Sequence, residues 1–130
     1  MVVHRGIRVR LLLDTNALVR WHLVKLRPAA VRTVQRAELV VVSAVSAWEI
    51  AVKRALGKLD LKDTVEQIVA RYGFLPMAAT VRHGDLLRDL PLHHPDPFDR
   101  LLIVQALDEG LTILTGDRAF EPYRVPVEWV

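Results

Sequence analysis

Apolar residues fall along this chain in two rhythms. Nearly unbroken runs at Val9 to Leu13, Leu39 to Ser43 and Leu111 to Leu114 read as strands buried on both faces, the habit of parallel sheets. Phe74 to Met77 and Val125 to Trp129 read as shorter strands. Between them, helical spacing predicts helices over Thr15 to Val24, Ala29 to Ala37, Ser46 to Leu56, Thr64 to Tyr72, Val81 to Leu87 and Pro97 to Glu109. Gly57, Gly73 and Gly110 close three of these, while Asp96 caps the last with Pro97 at its first position. Strands alternating with helices predict an α/β fold, a parallel sheet with helices on both faces.

No repeat, low-complexity tract or long linker interrupts the pattern, so residues 1–130 are expected to form one domain. At 52% apolar and 25% charged, the composition is that of a globular chain. Cysteine is absent, which excludes thiol catalysis, disulfides and zinc–thiolate sites. The basic start is followed by an apolar run broken by Arg8 and Arg10 and stopped by Asp14, too short for a signal peptide or membrane span. A soluble, cytoplasmic protein is expected.

Four carboxylates change the picture. Asp14, Glu49, Asp99 and Asp117 each sit where a strand gives way to a helix or turn, or in a helix's early residues. In open α/β sheets, ligands bind beyond the carboxyl ends of the strands, so these positions are expected to converge. Each acid also has a local explanation. Ser46-Ala47-Trp48-Glu49 has the form of a capping box, Asp99 suits the positive end of a helix dipole, Asp14 an N-cap and Asp117 a turn. Capping does not explain all four at once, least of all Asp14 directly after three leucines. Converging carboxylates repel unless protons or a cation neutralise them, and a hard divalent ion such as Mg²⁺ takes oxygen ligands and supports phosphoryl chemistry.

The segments Leu11-Leu12-Leu13-Asp14-Thr15-Asn16, Ser43 to Ile50, His93-His94-Pro95-Asp96-Pro97-Phe98-Asp99-Arg100 and Thr112-Ile113-Leu114-Thr115-Gly116-Asp117 resemble the successive motifs of PIN domains, above all VapC-like toxins of bacterial toxin–antitoxin pairs. The resemblance spans nearly the whole chain. It implies a three-layer α/β/α fold around a parallel sheet of four to five strands. It further implies a Mg²⁺- or Mn²⁺-dependent endoribonuclease, usually a homodimer held inactive by an antitoxin, whose cleavage leaves a 5′-phosphate and a 3′-hydroxyl. Asp14, Glu49 and Asp99 match the central acidic positions, Asp117 the less constant fourth, and Thr115 a small polar position beside the site. Gly116 departs from the larger or basic residue of many relatives.

Net charge is +3, from 18 basic and 15 acidic residues; with the four carboxylates sequestered, 18 against 11 leaves +7. Fourteen of the 18 are Arg, suited to phosphate contacts, although an Arg-rich composition also follows from a GC-rich genome. Arg100 and Arg118 directly follow Asp99 and Asp117 and are the candidates for substrate phosphate. Lys53, four residues after Glu49, reads first as its ion-pair partner and second as a phosphate contact. His93 and His94 are assigned a loop role or a loose substrate contact, because the surrounding acids favour a hard ion over zinc. Trp48 is expected in the core; Trp21 suits core or interface; His4, His22 and His83 carry no motif. Asn16, where aspartyl phosphatases carry a second Asp, argues against an Asp14 nucleophile. The competing reading is a non-catalytic RNA- or protein-binding module of the same fold, its acids only capping helices.

Overall fold

Leu11, Leu12 and Leu13 are fully buried, and they pack alternately into two hydrophobic clusters in the computed structural model, which describes residues 8–130. Side chains alternate across a strand, so a run of three leucines requires apolar cover on both faces. These leucines belong to β1 (Arg10–Leu13), the central strand of a five-stranded sheet with β2 (Leu39–Ser43), β3 (Leu75–Met77), β4 (Thr112–Thr115) and β5 (Val127–Trp129). Every pairing is parallel and the order is β3-β2-β1-β4-β5, with Leu12 opposite Val41 on one side and Ile113 on the other. His4 and the basic start lie outside the described residues.

Among the described residues, six helices complete the layers: α1 (Thr15–His22), α2 (Pro28–Arg36), α3 (Ala44–Ala55), α4 (Val65–Tyr72), α5 (Val81–Leu86) and α6 (Pro97–Glu109). One cluster joins Leu11, Leu13, Leu18, Val34, Ile50, Ile68 and Phe74, and thereby α1 to α4. The other joins Leu12, Val41, Leu102, Ile103, Phe120 and Tyr123, and thereby α6. The expected three-layer α/β/α arrangement is therefore present. Leu102 to Ala106 are all buried, so α6 is covered nearly all round. Its one polar residue there, Gln105, accepts from Ser43 Oγ at 2.6 Å and donates to the Ala78 carbonyl at 3.3 Å.

Three expectations change, the first being that α1 ends at His22 rather than Val24, because Val24 takes a left-handed backbone conformation that a helix cannot continue. Ser46 does not start a helix: α3 begins at Ala44, and Ser43, the last residue of β2, caps it through the Val45 amide at 3.0 Å. With no gap between strand and helix, the hydroxyl at the junction is the one in reach. The Ser46–Glu49 capping box is thus absent, and Ser46 Oγ instead accepts from Thr15 Oγ1 at 3.0 Å. Trp48 is not in the core; it is 56% exposed and rests edge-on against Phe98. Trp21 packs with Tyr72 and Phe74 against the first cluster.

The chain runs outward from β1 to β2 and β3, then returns to place β4 on the other side of β1. Between the carboxyl ends of β1 and β4 the strand order therefore reverses, the place where open α/β sheets form a crevice.

Candidate active site

A cleft of about 690 Å³ opens at this switch point, lined among others by Asp14, Glu49, Asp96, Asp99 and Asp117. Each acid arrives from a different junction. Asp14 follows β1 and caps α1, accepting from the Ala17 amide at 2.7 Å. Glu49 comes from the second turn of α3 with its side chain only 6% exposed. Asp99 lies in the first turn of α6, and Asp117 follows β4 and caps a short 3-10 turn through the Ala119 amide at 2.9 Å. Asp96 is the α6 cap, accepting from the amides of Phe98 and Asp99 at 2.8 and 3.0 Å. The two roles are thus divided: Asp96 caps, while Asp99 faces His94, whose Nε2 is 2.9 Å from its Oδ2.

Such convergence has an electrostatic signature. Burial pushes the Asp14 carboxyl up to about 6, opposed by hydrogen bonds from Thr115 and Ala17 and reinforced by Asp117 and Glu49. Burial likewise raises Asp99 to about 6, opposed by His94 and reinforced by Asp96, Asp14 and Glu49. Glu49 Oε2 meets Lys53 Nζ at 2.7 Å, and this bond raises the Lys53 pKa. Glu49 Oε1 is buried with no hydrogen-bond partner. A buried carboxylate oxygen left bare is costly, and a cation would satisfy it. The carboxylates that line the cleft are oxygen donors of the kind that a hard divalent ion takes.

Thr115, fully buried at the end of β4, connects two of the acids. Its Oγ1 accepts from the Asp117 amide at 3.0 Å, and its hydroxyl acts to lower the Asp14 pKa against the effect of burial. Arg100 and Arg118 do not line the cleft. Arg100 donates to the Leu90 and Pro91 carbonyls and to the Tyr123 hydroxyl, at 3.2, 2.9 and 3.2 Å. Arg118 lies over the Trp129 ring, 4.2 Å from its centroid. Neighbours on a helix point in different directions, so adjacency to an acid did not place either guanidinium on its side.

The cations that do line the cleft are Arg20, Arg27 and Lys53. Sequence reasoning passed over the two arginines. Arg20 had a usable signal: it follows Asn16, another lining residue, by four positions on one helix and so shares its face. Arg27 precedes α2 in a connection whose path no local pattern specifies. Tyr123 was also missed, although its hydroxyl accepts from the amides of His93 and His94 at 3.1 and 2.9 Å and so holds the loop before α6.

Among the described residues, two groups offer three close donors: His94, Asp99 and Asp117, and His83, Asp108 and Glu109, each within 4.8 Å. The second is structural. Arg82 binds both oxygens of Asp108 at 3.0 and 3.3 Å, and His83 Nδ1 accepts from the Thr80 amide in the α5 capping box.

The family model "PIN domain" matches residues 11–125. Solved structures with similar folds include VapBC2 from Rickettsia felis bound to a promoter DNA fragment, 14% identical with a TM-score of 0.68 over 94% of this chain and 99% of that one. A toxin–antitoxin complex from Klebsiella pneumoniae is 16% identical, TM-score 0.63, over 90% and 94%. DNA-bound VapBC from Salmonella typhimurium is 17% identical, TM-score 0.59, over 92% and 97%. A search of curated proteins gave no match.

Proposed function

Since the chain belongs to the PIN-domain family, we propose that it is a divalent-metal-dependent endoribonuclease and the toxin of a VapBC-type pair. The observation that carries this reading is the mutually repelling acid cluster at the switch point, with Asp14 and Glu49 buried and Glu49 Oε1 bare. Nuclease chemistry suits PIN domains, and VapBC complexes among the structural neighbours favour the toxin role and an antitoxin partner. When bound, Mg²⁺ or Mn²⁺ supplies Lewis-acid activation of water and of the phosphoryl oxygen.

The chain's own groups do the rest. Asp14, Glu49 and Asp99 would hold the ion and fix its position, Thr115 holds the Asp117 backbone through its amide, and Asp117 would orient water. Arg20, Arg27 and Lys53 take the RNA phosphates, in place of Arg100 and Arg118. Lys53 is held at the cleft by its ion pair with Glu49 Oε2, which leaves Oε1 for a cation. The protein acts as a homodimer in the cytoplasm, inhibited by its antitoxin. No helix of the described residues is long and apolar enough to cross a membrane.

The test is cleavage of a single-stranded RNA pool by purified protein in Mg²⁺, in excess EDTA, and after Mn²⁺ is added back. Cleavage that depends on metal and is lost in Asp14→Asn and Asp99→Asn is expected. Undiminished cleavage in EDTA would refute the mechanism. Light scattering with and without antitoxin tests the assembly: a monomer at all micromolar concentrations would rule out the homodimer.

A further inference from the structure

We propose that His94 is a nitrogen ligand of the metal centre, giving it a mixed imidazole–carboxylate donor set that favours Mn²⁺ over Mg²⁺. This rests on the metal-centre reading above and makes it specific. Asp14, Glu49, Asp99 and Asp117 line the cleft; His94 stands beside it, and with Asp99 and Asp117 it forms the close donor set, one donor atom of each within 4.8 Å of the others. His94 Nε2 stands 2.9 Å from Asp99 Oδ2. The carboxylate is thus already turned toward the imidazole rather than toward a capping amide.

The placement of His94 is built. Its amide and that of His93 both donate to the Tyr123 hydroxyl, and Tyr123 is itself buried. Arg100 ties the preceding Leu90 and Pro91 carbonyls to the same hydroxyl, while the His94 ring lies against Phe120. The bare Glu49 Oε1, on an unrelated helix, independently indicates that the cleft takes a cation.

Without metal, the imidazole hydrogen on Nε2 satisfies Asp99. For ligation that hydrogen must reside on Nδ1, leaving the Nε2 lone pair for the cation and the Asp99 oxygens for the same ion. Imidazole binds transition ions far better than Mg²⁺, which prefers oxygen and water. His94 therefore biases the site toward Mn²⁺. The alternative role, in which the ring only orients Asp99, would support both ions equally.

Electron spin echo envelope modulation of Mn²⁺ bound to the full-length protein reads the difference directly. Wild type should show ¹⁴N coupling from a directly bound nitrogen. His94→Gln keeps an N–H donor for Asp99 but removes the imidazole, so the coupling should vanish. In calorimetric titrations, this variant should bind Mn²⁺ about tenfold more weakly or worse, with Mg²⁺ binding little changed. His93→Gln should leave both signals intact. Bound Mn²⁺ without ¹⁴N coupling in wild type, or coupling that survives His94→Gln, overturns the assignment of His94 and leaves the metal centre standing. Absence of saturable Mn²⁺ binding overturns the metal-centre reading itself.

Discussion

Asp14 and Asp99 hold their protons more tightly in the folded protein, near pH 6, than at the ordinary value of 3.8 that the unfolded chain is expected to show. Their contribution to stability is therefore fully present below about pH 4 and is lost as pH rises through 6. A shift of this size corresponds to roughly 3 kcal/mol for one group, and the two are coupled, so the pair contributes less than twice that. Asn mimics the protonated side chain and does not titrate. In EDTA, the unfolding free energy of wild type relative to Asp14→Asn should thus fall by on the order of 3 kcal/mol between pH 4 and 7. Urea unfolding at the two pH values measures it, and a pH-independent difference would show that Asp14 is not strained. Saturating Mg²⁺ at pH 7 should reverse the order, because wild type then gains a ligand. At this scale the four acids were legible because strand ends are topologically fixed. The directions of Arg100, Arg118 and His94 were not, because the Tyr123 hydroxyl and loop carbonyls hold Arg100, the same hydroxyl holds the His94 amide and the Trp129 ring holds Arg118, partners that only the folded chain brings near.

Helix ends show how local pattern and tertiary context divide the work. The α6 start was legible from Asp96-Pro97 alone, since cap and proline act within one turn. The α3 start was not, because the cap is chosen by where β2 stops. The α1 end was overextended: the helix stops at His22, and Val24 takes a left-handed conformation, φ 58°, with its side chain 90% exposed. A β-branched residue there costs about 1–2 kcal/mol, and the added freedom of glycine in the unfolded chain offsets roughly half of any relief. Val24→Gly should therefore stabilise by about 1 kcal/mol and raise Tm by a few degrees, about 4 °C. An unchanged or lower melting point would mean that the turn is not strained. The loop before α6 allows the opposite test. Arg100→Ala removes guanidinium bonds to Leu90, Pro91 and Tyr123, so Tm should drop, by roughly 2 kcal/mol of stability. RNA affinity in an Asp99→Asn background should barely move if Arg100 is a loop brace, and a large affinity loss would restore it as a phosphate contact.

Across the whole molecule, alternating strands and helices were enough to anticipate the parallel sheet, since buried two-faced runs admit few other arrangements. The pattern did not reveal the strand order, and with it the crevice, because nothing local says that β4 returns beside β1. That order also separates the arginines into two territories. Arg20 and Arg27 join Lys53 at the carboxyl end of the sheet, whereas Arg8, Arg32 and Arg36 line a second cleft that includes Val9, just before β1. Arg-rich composition alone therefore says little about which cations meet RNA. Binding of single strands weakens with salt by a slope of about −0.7 in log–log form for each phosphate neutralised. If the three cations of the acidic cleft each hold one phosphate, Asp99→Asn protein in Mn²⁺, which binds without cutting, should show a slope near −2 from them. Adding Arg20→Ala, Arg27→Ala or Lys53→Ala should each make the slope shallower by about 0.7, while Arg32→Ala and Arg36→Ala should not. Fluorescence anisotropy with a labelled oligoribonucleotide over a salt series provides the measurement. Equal effects from both territories would mean that RNA is held by overall charge, and the cleft would lose its claim to position the scissile phosphate.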